Sequence, residues 1–165
     1  MSRRAVTIAV VVTLLVVGVI AFRHYFSPGE VVNRKLVATI DAFEDERMLA
    51  VMSAVSRKYA DPLGLDYETL GGYLHETMET YDDLRVDFVL TRPEVRDGEV
   101  RIDIEFVLWG RYEGTKGYVI GSISDPCTAT LLWREETPGW RFASTPELDI
   151  PELRHELESR HNRTR

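Results

Sequence analysis

One cysteine, Cys127, stands in the whole of this 165-residue sequence. A disulfide within the chain and a multi-thiolate metal site are thereby excluded, and a buried free thiol is the expectation. Histidine is sparse too. His24, His75, His155 and His161 are scattered, and no pair has ligand spacing backed by a third ligand nearby, so neither metal nor cofactor is expected. Glycine-rich phosphate loops, nucleophile elbows and internal repeats are absent.

Positive charge is also in short supply. The formal net charge is −7, and residues 1–23 hold three Arg and no acid, which leaves −10 on the remainder. Phosphate backbones and anionic headgroups repel so acidic a domain, which argues against nucleic acid as a partner and against tight lying on a bilayer.

Apolar residues make up 44% of the chain but are unevenly spread. Residues 5–22 carry no charge, and only Thr7 and Thr13 among them are polar. As a helix at ~1.5 Å per residue they span roughly 27 Å, close to the hydrocarbon thickness of a bilayer. The competing reading is a cleaved signal peptide. The run exceeds the roughly 7–15 residues of a signal core. The bulky Phe22, Tyr25 and Phe26 that close it offer no small-residue cleavage site, and no Cys follows for lipidation. An uncleaved signal anchor is favoured. Arg3 and Arg4 place the N-terminus in the cytoplasm, weakly opposed by Arg23, Arg34 and Lys35. The expectation is a single-pass membrane protein with its domain extracytoplasmic (periplasmic or extracellular).

The division read from the sequence is a cytoplasmic tip and anchor over 1–27, an α+β domain over 28–148, and a tail over 149–165. Ser27-Pro28-Gly29 ends the anchor. Val32, Leu36, Ile40 and Phe43 then recur at the spacing of one helix face. Glu44-Asp45-Glu46-Arg47 interrupts, and the stripe resumes out of phase at Met48, Met52, Val55 and Tyr59. A kink or two consecutive helices near 44–46 follow, with the acidic residues in the second helix's first turn. Asp61-Pro62-Leu63-Gly64 ends that segment, and Asp66 N-caps a third helix to about Tyr81, with Thr69 at the third position. Gly71-Gly72 inside it costs about 1–2 kcal/mol of helix propensity unless close packing needs the space.

Beyond Asp83 the period falls to two. Leu84, Val86, Phe88 and Leu90 alternate with polar residues, as do Val100, Ile102, Ile104, Phe106 and Leu108. Asp97-Gly98 suits the hairpin between them, in a loop longer than two residues. A possible short strand at 118–120, a strand at 127–135 and a last one at 140–144 complete a sheet of about four strands. Helices first and an antiparallel meander second place this in the α+β class. In the tail, Pro151 opens a short helix carrying Leu153 and Leu157. Asn162-Arg163-Thr164 matches a glycosylation acceptor, a match that chance explains better.

The acidic interruption between two helix stripes over 42–59, the stretch Ser56-Arg57-Lys58-Tyr59-Ala60-Asp61-Pro62-Leu63-Gly64, the helix 66–81, the hairpin 84–108 and the closing Gly139-Trp140-Arg141-Phe142 together resemble the nuclear-transport-factor-2-like (cystatin-like cone) superfamily. The likeness covers about residues 30–148, and it is nearest to membrane-anchored bacterial members without assigned activity. It implies about three helices packed inside a strongly curved antiparallel sheet. It implies no single activity, because isomerases, dehydratases, cyclases, binding proteins and assembly subunits share the fold.

Enzymes of that kind work with a carboxylate or His inside the cone mouth, so His75, Asp87, Asp103 and Glu105 are the residues to weigh. Each has a stronger structural reading. The three carboxylates share the polar register of their strands with Arg85, Arg101, Arg134 and Arg141, which ion pairs across a solvated face explain. His75 falls off the apolar stripe of its helix. Catalytic, cofactor and metal residues are therefore assigned to none. Tyr59, Tyr73, Tyr81, Phe106, Trp109, Trp133, Trp140 and Phe142 form either a core or the lining of an apolar pocket, and core is favoured.

Three functions remain in play. The first is a scaffold or interaction domain for an envelope protein or a second copy of itself. The second is a carrier or sensor of a small apolar ligand, and the third is an isomerase- or cyclase-like enzyme. The first is favoured, on the lack of any evident catalytic site. A closed pocket without ionisable lining groups would fit the second, and a buried Asp87 or Asp103 with a raised pKa would reverse the ranking.

Overall fold

Ser27 and Pro28 start the first helix as their chemistry requires. The Ser27 hydroxyl accepts from the Glu30 N–H at 3.4 Å, and Pro28 occupies a position where no N–H is needed. The structure, a computed structural model, describes residues 26–149. The apolar run 5–22 and the tail helix lie outside them. Among the described residues no helix is long and apolar enough to cross a membrane.

Helix α1 spans Pro28–Glu44, α2 Met48–Ala54 and α3 Tyr67–Thr80. The break between the two stripes is real and sharp. Glu46 sits at φ 56, a left-handed conformation that ends α1 and re-aims the chain. The acidic residues stay in this turn; Arg47 is the N-cap of α2, whose first turn holds none of them. Nor does α2 reach Tyr59. After Ala54 the chain runs extended along the last strand, where the Ser56 N–H donates to the Phe142 carbonyl at 2.8 Å. Backbone pairing with a strand overrides the local helical periodicity. At α3 the cap is reciprocal. Asp66 accepts from the Thr69 N–H at 2.9 Å, and the Thr69 hydroxyl accepts from the Asp66 N–H at 2.8 Å.

Six strands form one antiparallel sheet, two more than the sequence promised: β1 Asp82–Leu90, β2 Glu94–Arg96, β3 Glu99–Tyr112, β4 Thr115–Ile120, β5 Cys127–Glu136 and β6 Gly139–Asp149. The order is β1-β3-β5-β6, with the short β2 and β4 both paired to the long β3. Asp97 and Gly98, at φ 46 and 78, make a two-residue turn that joins β2 to β3, because the chain resumes pairing just beyond Pro93. Glu113 and Gly114 repeat this left-handed geometry between β3 and β4. The last strand runs to Asp149, past the domain boundary expected at 148.

Register shifts interrupt the ladders at Asp82/Arg85, Leu108/Trp109, Thr130/Leu132 and Leu132/Trp133. Each bulge bends its strand, and together they give the sheet its curvature. The helices pack on the face carrying Val100 and Ile102. The core there gathers Val32, Leu36, Ala54, Val100, Ile102 and Trp133.

Candidate functional site

The inner face of the sheet and the helices leave apolar space between them that opens to the outside. α1 supplies Leu36, Ile40 and Phe43, α3 supplies Leu74, and the sheet supplies Val86 and Leu131. These six side chains line both of two adjoining cavities, of about 200 and about 290 Å³. The smaller extends past Leu70 to Ala54, Trp133 and Phe142. The larger extends past Ile104 and Phe106 to Thr145 and Leu148. Neither wall carries Asp, Glu, His, Lys or Arg.

The sequence places these residues without difficulty. Leu36, Ile40 and Phe43 share a face of α1 at helical spacing, while Val86 and Leu131 point inward from alternating strands. Helix α3 is the loosest wall, since no residue of it is fully buried. It meets α2 where it has no side chain. A Cβ at Gly71 would stand 3.2 Å from Met52 Cε, whereas one at Gly72 would meet nothing within 4 Å.

Polar groups reach the cavity walls at three points. Thr39 Oγ1 donates to the Lys35 carbonyl at 2.7 Å. Thr145 Oγ1 lies 2.9 Å from Tyr59 Oη, which also donates to Asp61 Oδ2 at 3.0 Å. Asp61 is in turn held by the N–H groups of Leu63 and Leu65, each at 2.9 Å. Burial, opposed by the bond to Thr145 and aided by the Asp61 charge, pushes the Tyr59 phenol well above its ordinary range. It is a fixed neutral hydroxyl at physiological pH. The third group is the Trp133 indole, 1% exposed, whose buried Nε1 donor has no acceptor among the described residues.

The four residues weighed from the sequence lie elsewhere. His75 is on the exposed side of α3, 3.3 Å from Glu79. Asp87, Asp103 and Glu105 occupy exposed positions on the sheet face turned away from the helices. Asp87 accepts from Trp109 Nε1 at 2.7 Å. Asp103 accepts from the Thr130 hydroxyl at 2.7 Å and has Arg101 at 3.9 Å. The expected ion pairs form in part, with different acids. Arg101 reaches Glu147 at 2.8 Å, Arg134 reaches Glu99 at 2.7 Å and Arg85 reaches Glu44 at 3.1 Å. Arg141 donates to the Ser53 carbonyl instead.

The aromatics divide between the two faces. Trp133 and Phe142 line the smaller cavity and Phe106 the larger. Trp109 stacks on Tyr118 with ring centres 4.0 Å apart, off both cavity walls. What sequence reasoning missed is that Trp133 lies buried beside a cavity. Its position on a strand marks it as inward-facing, but nothing in the sequence separates a filled interior from a hollow one. Among the described residues no group of three or more His, Cys, Asp or Glu side chains is placed to hold a metal ion.

No protein-family model matches this sequence, and no curated protein matches it either. Solved structures do. A nuclear-transport-factor-2-like protein with a cystatin-like fold from Novosphingobium aromaticivorans superposes with a TM-score of 0.59 at 12% identity, over 78% of this chain and 85% of that one. A protein of the same organism described as a candidate scytalone dehydratase gives 0.60 at 7% identity, over 72% and 80%. Bd1075 of Bdellovibrio bacteriovorus gives 0.53 at 10% identity, over 73% of this chain, which spans 40% of the length of Bd1075. The resemblance read from the order of helices and strands is thus a shared fold. The described domain has the nuclear-transport-factor-2-like architecture, which the protein described as a candidate scytalone dehydratase shares.

Proposed function

We propose that this protein binds a small apolar molecule inside its cone, and that residues 5–22 tether it to the cell membrane with the domain on the extracytoplasmic side. The observation that carries the ligand reading is the pair of adjoining apolar cavities whose walls bear no ionisable side chain. Volumes of about 200 and about 290 Å³ suit a small ligand. Apolar walls left open to the outside are a surface that a small apolar molecule can cover.

The enzyme reading has less support. Proton transfer inside the cone would need a base, neither wall carries one, and the Tyr59 phenol behind Thr145 is held protonated by burial. A carrier or sensor asks only for shape and apolar walls. The tether is supported by the uncharged run 5–22 with Arg3 and Arg4 before it, and by the exposed Phe26 at the point where the chain enters the domain. Attachment confines the domain to the layer where apolar molecules partition.

Native mass spectrometry on the full chain, released from micelles, tests the ligand reading. An added neutral mass that is lost on denaturation is the expected result. Bare protein, after exposure to a membrane lipid extract, would oppose it.

A second reading, an interaction module, draws on the outer sheet face. Val89 is 68% exposed there, and Tyr118 is exposed on the same face beside Trp109. Sedimentation over a range of concentrations would reveal a self-associating face as a dimer.

A further inference from the structure

We infer that helix α3 is the lid of the apolar site: it lifts to admit the ligand and closes down on it, so that the bound molecule supplies packing the helix otherwise lacks. This deepens the reading of the cone as an apolar-ligand site and rests on it.

Helix α3 owes little to its own sequence. Its 14 residues make a marginal helix in water, and Gly71-Gly72 weakens it by about 1–2 kcal/mol. Such a helix depends on burying an apolar face. Leu70, Tyr73, Leu74 and Met78 form that face, yet none of them is fully buried. Helix α1, by contrast, buries Val32, Leu36 and Ala42. The difference lies in what stands opposite. Leu70 and Leu74 border the smaller cavity, and Leu74 borders the larger one as well. The inward side of α3 therefore looks onto space that opens to the outside. Segments with so little burial open locally at low cost.

The helix is fastened at two points, one on either side of Leu74. Toward its start Gly71 lies against α2, where a Cβ would stand 3.2 Å from Met52 Cε and 3.8 Å from Met48 Cε. Methionine adapts its shape readily, so contact through it yields without breaking a rigid fit. At the other end the C-cap residue Tyr81 lies over β3. A Cβ at Gly110 would stand 3.0 Å from Tyr81 Cβ, and the Tyr81 and Tyr112 rings are 6.0 Å apart. Just outside the helix the chain turns through left-handed residues, Gly64 at φ 81 and Asp83 at φ 51. Rocking about the two fastenings lifts Leu74 while α1 and the sheet stay in place. A ligand against Leu70 and Leu74 gives the helix its missing burial, which couples binding to closure.

Hydrogen exchange of the full chain in detergent micelles, read by mass spectrometry, tests the lid. The probe is N-phenyl-1-naphthylamine, its free concentration set from its partition into protein-free micelles. Without probe, amides of residues 70–80 should exchange about tenfold faster than those of 32–43, or faster still. With free probe at about ten times its dissociation constant, exchange in α3 should slow about tenfold, because only the probe-free protein opens. The turn at Asp97 and Gly98, which lines neither cavity, should exchange unchanged. Tyr81→Ala removes the fastening to β3 and should speed both α3 exchange and probe release roughly 2- to 10-fold.

If the probe binds and α3 exchanges as before, or if α3 without probe is as protected as α1, the lid is overturned while the apolar site stands. If the probe shows no saturable binding, the apolar site itself is overturned. Exchange of the wild type decides the lid even if Tyr81→Ala fails to fold.

Discussion

Tyr59 Oη stands 2.9 Å from Thr145 Oγ1, a buried bond between the segment that follows α2 and the middle of β6. The two residues are 86 positions apart, so the bond closes the cone at the wall of the larger cavity. Tyr59→Phe removes it and leaves Thr145 and Asp61 each short of a partner. The expected loss is about 1–2 kcal/mol, read from urea unfolding.

The same phenol gives a pH signature. Its folded pKa is raised, above an unfolded value of about 10, so folding favours the protonated form. The stability this lends is fully present below about pH 10 and is lost as pH rises through the folded value. Absorbance titration of the seven tyrosines should show one that ionises only as the protein unfolds. Tyr59→Phe should abolish that late step.

Glu44 ties the end of α1 to the bulged start of β1, accepting from the Val86 N–H at 2.7 Å and from Arg85 at 3.1 Å. Glu44→Ala should cost about 1–2 kcal/mol, because it strips a backbone N–H of its acceptor. Arg85→Ala, which breaks only the exposed ion pair, should cost less than about 1 kcal/mol. Equal losses in chemical denaturation would contradict this division.

The glycine pair of α3 separates propensity from packing. Gly72→Ala adds a methyl in open space and should stabilise by about 0.5–1 kcal/mol. Gly71→Ala brings that methyl to 3.2 Å from Met52 Cε, so Met52 must yield and the gain should be smaller. Thermal midpoints of the two variants rank them directly.

Much of this architecture was readable from pattern. The phase break at 44–47, the Asp66 cap and the inward alternation of Val100, Ile102 and Ile104 each follow from local chemistry that the fold leaves undisturbed. Tyr59 was misplaced on a helix because its spacing from Met52 and Val55 is helical, whereas pairing with β6 fixed the backbone as extended. The strand β2 was hidden by its length of three residues, too short for alternation to stand out, and of β4 only the end at 118–120 was read. The cavity was beyond sequence reasoning altogether. Leu36, Ile40, Phe43, Leu74, Val86 and Leu131 are what any core would use, and whether they meet or stand apart depends on a sheet curvature set by bulges.

Fluorescence of a neutral apolar probe, N-phenyl-1-naphthylamine, against wild type and Leu131→Trp tests the central claim most directly. Leu131 lines both cavities, and the larger side chain fills space that the ligand needs. The account predicts saturable enhancement with wild type, its loss in a folded Leu131→Trp, and no change in Asp87→Asn, Asp103→Asn, Glu105→Gln or His75→Ala. Undiminished binding to Leu131→Trp would contradict it, because the probe would then sit somewhere other than the cone.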